Sequence, residues 1–180
     1  MILLLLAEGF EEIEALTPLD VLRRAGKTVK TVGIGSRVVI GAHGIPVVCD
    51  LTGDEVTYDD IEMLILPGGM PGATNLDASE TVDKLIFSVN ERGGQLAAIC
   101  AAPLCLGRRG LLGGKEATCY PGFEGELLGA TVSDKSVVTD GNITTAKGMG
   151  VALDFALRLC EIVTDAKTAD KISKSIYKNS

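Results

Sequence analysis

Three continuous apolar runs constrain this chain most: MILLLLA at its start, MLIL from Met63 and QLAAI from Gln95. A strand with one wet face alternates apolar and polar residues, whereas an unbroken apolar run reads as a strand buried on both faces. Amphipathic, charged stretches lie between these runs, so the chain reads as an α/β protein: a mostly parallel sheet with helices on both faces. At 180 residues it is most simply one domain, 1–180. Its 22 glycines and 4% aromatic content suit tight strand-to-helix turns and close packing of elements.

The remaining elements follow from local signals. Glu11 to Ala25 reads as a helix ended by Gly26 and bent at Pro18. TVKTVGIG reads as a strand, and VVIGAHGIPVVCD as a hairpin around His43-Gly44. Ala78 to Arg92 is expected to be a helix closed by Gly93-Gly94, and a further helix is expected from Ala101 to about Arg109. EATCYP reads as a strand and VVTDGNITTAKG as a hairpin turning at Asp140-Gly141. GVALDFALRLCEIV has helical spacing, and a last helix runs from about Thr168 to Tyr177.

A formal charge of -7 argues against a nucleic-acid surface, and the short basic pairs Arg23/Arg24 and Arg108/Arg109 do not change that. MILLLLA has no basic leader and is followed at once by EGFEEIE, so it reads as a buried strand rather than a signal peptide or membrane span. Five cysteines, odd in number and without CxxC spacing, read as free thiols in a reducing, cytoplasmic compartment. No metal site is implied, and no cofactor is expected.

Ligands of open parallel sheets bind at the carboxyl ends of the strands, where loops present unpaired N–H groups. AEGFEEIE, PGGMPGA, CAAP and YPGF all fall at that edge. Cys100 ends an apolar strand just where a helix is expected. If Ala101 begins that helix, its positive end favours a thiolate and the sharp turn lifts the sulfur clear. The alternative is a buried thiol acting as a small hydrophobe, which is how Cys49, Cys105, Cys119 and Cys160 are read, in the core or at the surface. Gly68-Gly69 either turns N–H groups into the same cleft, as an oxyanion requires, or simply ends a strand. Glu11 and Glu12 read as a solvated helix start. Glu14, between Ile13 and Ala15-Leu16, is phased to turn inward, where burial would raise its pKa and suit it to proton transfer. His43 is the only histidine and precedes the cysteine, so no Cys–His pair of the amidotransferase order exists.

Four segments in register, AEGFEEIEALTPLDVLRRAG, LILPGGMPGATNL, LAAICAAP and GMGVALDFALRLCEIV, resemble the ThiJ/PfpI superfamily over nearly the whole chain. The likeness is to the branch of the parkinsonism-associated deglycase and its bacterial relatives. That resemblance implies a flavodoxin-like three-layer sandwich and a homodimer. It also implies a reactive cysteine matched by Cys100, a protonated glutamate on its sulfur matched by Glu14, and oxyanion-holding backbone groups matched by Gly69 and Ala101. The implied activity is cofactor-free glyoxalase or deglycase chemistry on small α-oxoaldehydes; the alternative is oxidative-stress sensing or redox-regulated chaperone action by the same cysteine. The peptidase branch has a histidine directly after the cysteine. Here stands Ala101, which disfavours proteolysis. Tyr120 stands where the deglycase has a histidine, and His43 falls near the position of an interface arginine.

Overall fold

In the computed structural model, which describes residues 1–178, strand β1 (Ile2–Leu6) lies inside the sheet with every side chain buried. Residues 179–180, taken in by the single-domain expectation, lie outside the described residues. After β1 come α1 (Glu12–Arg24), β2 (Val29–Gly33), the hairpin β3 (Val38–Ile40) and β4 (Pro46–Val48), β5 (Leu51–Thr52) and β6 (Met63–Leu66). Then follow α2 (Gly72–Asp77), α3 (Glu80–Glu91), β7 (Gln95–Ile99), α4 (Pro103–Gly107), β8 (Glu116–Ala117) and β9 (Thr131–Val132). The hairpin β10 (Val137–Asp140) and β11 (Ile143–Ala146) leads to α5 (Ala152–Val163) and α6 (Ala166–Ser175).

The seven-stranded sheet has the order β10-β11-β7-β6-β1-β2-β5, parallel throughout except for the β10–β11 hairpin at one edge. Successive side chains leave a strand on opposite faces, and β1 shows the consequence. Ile2, Leu4 and Leu6 pack with Phe155 and Leu159 of α5 and with Leu22 of α1, while Leu3 and Leu5 pack with Val82, Leu85 and Ile86 of α3. The expected sandwich, with α1, α5 and α6 on one face and α2, α3 and α4 on the other, is therefore present. The β3–β4 hairpin is as expected, and Pro18 sits inside an unbroken α1.

Five elements differ from expectation. The last helix, read from about Thr168 to Tyr177, runs Ala166–Ser175, because the Asp165 side chain accepts the Thr168 N–H and starts it there. The helix expected over 78–92 begins at Glu80, where the Ser79 side chain accepts the Val82 N–H, and the glycine- and proline-rich stretch before it contains the separate α2. The helix expected from Ala101 begins at Pro103, because residues 100–102 are spent on a turn in which the Ala102 N–H bonds the Ile99 carbonyl. EATCYP pairs with β9 only at Glu116–Ala117. Beyond that the Thr118 N–H goes to the Thr145 hydroxyl and the Tyr120 N–H to the Cys100 carbonyl, so no ladder continues. The last hairpin turns at Gly141 and Asn142, one residue later than read.

Candidate active site

The carboxyl ends of β1, β6, β7 and β11 meet at one edge, and their trailing loops assemble around Cys100. The Cys100 N–H donates to the Ala146 carbonyl at 2.9 Å, and its carbonyl accepts from the Tyr120 N–H at 2.8 Å. Held at both ends, Cys100 adopts φ +66, a conformation costing a non-glycine residue about 1–2 kcal/mol. This sharp turn leaves the thiol partly buried rather than sealed in the sheet.

Glu14 reaches the sulfur from α1. Glu11 caps that helix, its side chain accepting the Glu14 N–H at 2.7 Å while its own N–H donates to the Gly68 carbonyl at 2.9 Å. The helix phase then points Glu14 inward, where it is 1% exposed and one carboxyl oxygen accepts the Gly68 N–H at 2.9 Å. A Cβ on Gly68 would lie 2.6 Å from the Cys100 Cβ and 2.7 Å from Glu14 Oε2. Glycine is needed there for room. Gly69, at φ +85, needs it for conformation as well, since a Cβ would come within 2.4 Å of the Glu11 nitrogen.

Burial pushes the Glu14 carboxyl up to about 7, helped by the nearby Glu11 charge and opposed by hydrogen bonding to Cys100 and to backbone amides. Burial, the Glu14 charge and the hydrogen bond to Glu14 push the Cys100 thiol up to about 12, against the backbone N–H groups of Gly69 and Ala101. The expectation of a thiolate favoured by a helix end is corrected here: the helix starts two residues too late and is five residues long. With Glu14 near 7 and Cys100 near 12, ionisation of the pair is about half complete at pH 7 and falls mainly on the carboxyl, while the Gly69 and Ala101 amides face the sulfur.

The expectation of a solvated Glu11 and Glu12 is also corrected, since both are buried, at 9% and 3% exposure. Glu12 accepts from the His43 backbone and pairs with its ring, each at 2.8 Å. His43, at the exposed tip of the β3–β4 hairpin, therefore sits on Glu12 rather than on Cys100, and that carboxylate raises its pKa. Glu11, Glu12 and His43 are the one group of three ligating side chains among the described residues with ligand atoms within 4.8 Å of each other. The Glu12 oxygens are already taken by His43 and Glu11 Oε2 by the Glu14 amide. Tyr120 is half exposed, with its ring against Gly148. Sequence reasoning missed Glu11 as the cap that aims Glu14, and Gly148; an acidic residue three positions before Glu14 was the available signal for the first. Cys49, Cys105, Cys119 and Cys160 are buried.

A flavodoxin-like sheet that presents a cysteine elbow, an inward glutamate and a glycine pair at its strand ends defines a class, that of the cysteine-elbow α/β sandwiches. Within it, this chain belongs to the DJ-1/PfpI family, whose model matches residues 1–162. It is 36% identical over 177 residues to protein dj-1beta of Drosophila melanogaster, covering 97% of this chain and 95% of that one. It is 33% identical over 151 residues to deglycase PfpI of Pyrococcus furiosus, covering 83% and 90%. The crystal structure of Drosophila melanogaster DJ-1beta superposes with a TM-score of 0.94 at 34% identity, over 99% of this chain and 98% of that one. No helix among the described residues is long and apolar enough to cross a membrane.

Proposed function

We propose that this protein is a cofactor-free, glyoxalase- or deglycase-like enzyme acting on methylglyoxal-type α-oxoaldehydes or their adducts through Cys100. The observation that carries this reading is Glu14, a buried carboxyl with a pKa near 7 set against the Cys100 sulfur. The deglycase-named relatives in Pyrococcus furiosus and Pyrococcus abyssi, 33% and 34% identical, support it.

The thiol proton passes to Glu14 and the thiolate adds to the aldehyde carbon. The resulting alkoxide rests on the Gly69 and Ala101 N–H groups and then takes the proton back as a hemithioacetal. The Glu14 carboxylate next removes the C1 hydrogen as a proton, leaving an enediolate, and returns it to C2 while the C1 hydroxyl proton moves to the C2 oxygen. C1 is thereby oxidised to a thioester and C2 reduced to a carbinol, so no external electron carrier is needed. Water cleaves the thioester, releasing lactate from methylglyoxal and restoring the thiol. The test is purified protein with methylglyoxal, without glutathione, followed for lactate. Sustained turnover supports the enzyme, and one aldehyde lost per protein contradicts it.

A second reading, a redox sensor or redox-regulated chaperone, draws on the partly exposed sulfur and the two amides beside it, which would also hold oxygens of an oxidised cysteine. A solved structure of Toxoplasma gondii DJ-1 described as oxidized, 32% identical with a TM-score of 0.93 over 97% of this chain and 96% of that one, resembles this chain. In either case we expect a homodimer in the cytoplasm, with His43 close to the subunit boundary; light scattering tests the assembly, and a monomer at micromolar concentration contradicts it.

A further inference from the structure

Two observations at Gly148 point to a ligand. One carboxyl oxygen of Glu14 accepts the Gly68 N–H, but the other, Oε1, is buried and makes no hydrogen bond of ordinary length and angle, since the Cys100 thiol and the Met149 amide act on this carboxyl only at longer range; that leaves capacity for a ligand. Gly148 has φ 162, extended backbone that any residue adopts, so conformation does not call for glycine there. Space does. A Cβ on Gly148 would lie 3.2 Å from Tyr120 Cδ2 and 3.8 Å from Glu14 Oε1. The oxygen and the aromatic ring thus both lie against the Cβ position that Gly148 leaves empty, and that position is the opening. Its position is fixed relative to the sulfur, because the Tyr120 N–H is bonded to the Cys100 carbonyl. Tyr120 is 50% exposed, an aromatic face left open beside the thiol loop.

We propose that the opening beside Gly148 receives the second carbon of the oxoaldehyde, and that Tyr120 is a specificity-determining wall favouring aryl-substituted over methyl-substituted oxoaldehydes. This deepens the reaction reading above and rests on it. With C1 bonded to sulfur and its oxygen on the Gly69 and Ala101 amides, C2 lies one bond further out. Its oxygen meets Glu14 Oε1, and its substituent runs along the Tyr120 ring. An aryl group stacks there; a methyl group leaves most of the ring uncovered.

The test compares phenylglyoxal with methylglyoxal. The ratio of their kcat/KM values is expected to favour phenylglyoxal in the parent protein, to fall roughly tenfold in Tyr120→Ala, and to survive in Tyr120→Phe, which keeps the ring and loses only the hydroxyl. Gly148→Ala, which fills the opening without straining the backbone, should lower kcat/KM for both aldehydes. Turnover of both aldehydes with an unmoved ratio in Tyr120→Ala, or full activity in Gly148→Ala, overturns the inference while leaving the reaction standing. Binding of the product acids, read by saturation-transfer NMR, does not depend on turnover. A mandelate preference over lactate that is lost in Tyr120→Ala keeps the aromatic wall even if neither aldehyde is turned over, in which case the reaction reading alone falls. Equal binding of both acids by the parent overturns the wall.

Discussion

Cys100 and Cys105 stand five residues apart, and burial pushes both thiols up to about 12. Their surroundings differ in kind. Cys105 lies inside α4, its sulfur donating to the Ala73 carbonyl at 3.6 Å, with the Asp77 charge nearby and Arg109 and Arg108 opposing it. The Asp77 carboxylate is engaged by Arg108 and Arg109 rather than by the Cys105 sulfur. Cys100 faces a carboxyl that titrates near neutrality and two backbone amides that can accept the charge left behind. A raised thiol pKa therefore does not separate core from chemistry. A facing carboxyl that titrates near neutrality does.

The largest expected effect is that Cys100→Ser abolishes lactate formation with folding intact, because serine offers no thiolate, whereas Cys105→Ala keeps most of it; equal losses would erase the distinction. Single replacement of Cys49, Cys119 or Cys160 should likewise leave most activity.

The next effect is on stability. The folded-state pKa of Glu14, about 7, lies above its ordinary 4.5, so the folded protein binds this proton more tightly than the unfolded chain. That contribution is present below pH 4.5 and is lost as pH rises through 7. Relative to Glu14→Gln, the parent should lose up to roughly 3 kcal/mol across that window in denaturant titrations. Parallel stability curves would place the titrating group elsewhere.

Around Cys105 the effect is structural. Asp77 accepts from Arg108 and Arg109, each at 2.7 Å, tying α2 to α4. Asp77→Ala should cost roughly 1–2 kcal/mol, discounted for the exposure of Arg108, and leave the pH profile of Cys100 alkylation unmoved. A shifted profile would couple the two regions. The smallest effect is on that profile itself. Iodoacetamide labelling of Cys100 should rise through a step near pH 7 in the parent, the first ionisation of the pair, and that step should vanish in Glu14→Gln.

Much of this was legible in the sequence, because apolar runs and helix phase are local. MILLLLA, MLIL and QLAAI became β1, β6 and β7, and the spacing of Glu14 beside Ile13 and Ala15 put it inside. What escaped depends on contacts between distant segments. Glu12 is buried because the β3–β4 hairpin folds over it, and a Cβ on Gly41 would come within 2.3 Å of its Oε1. EATCYP has strand propensity, but the Cys100 carbonyl and the Thr145 hydroxyl capture its amides. The thiol's pKa failed for a related reason: the helix-end argument is local, while the dominant causes, burial and the Glu14 charge, come from packing α1 against the end of β7.

The central claim, that Glu14 is the proton partner making Cys100 an enzyme's cysteine, is tested most directly by one paired assay of Glu14→Gln. Lactate formation from methylglyoxal and peroxide oxidation of Cys100, the latter read by mass spectrometry of the peptide containing ICAAP, are followed on the same preparation. Glutamine keeps the shape and can still donate a hydrogen bond, but it cannot take a proton and return it. The account expects lactate formation to fall by roughly 10²–10⁴ while oxidation persists. Equal lactate formation by Glu14→Gln and the parent would contradict it.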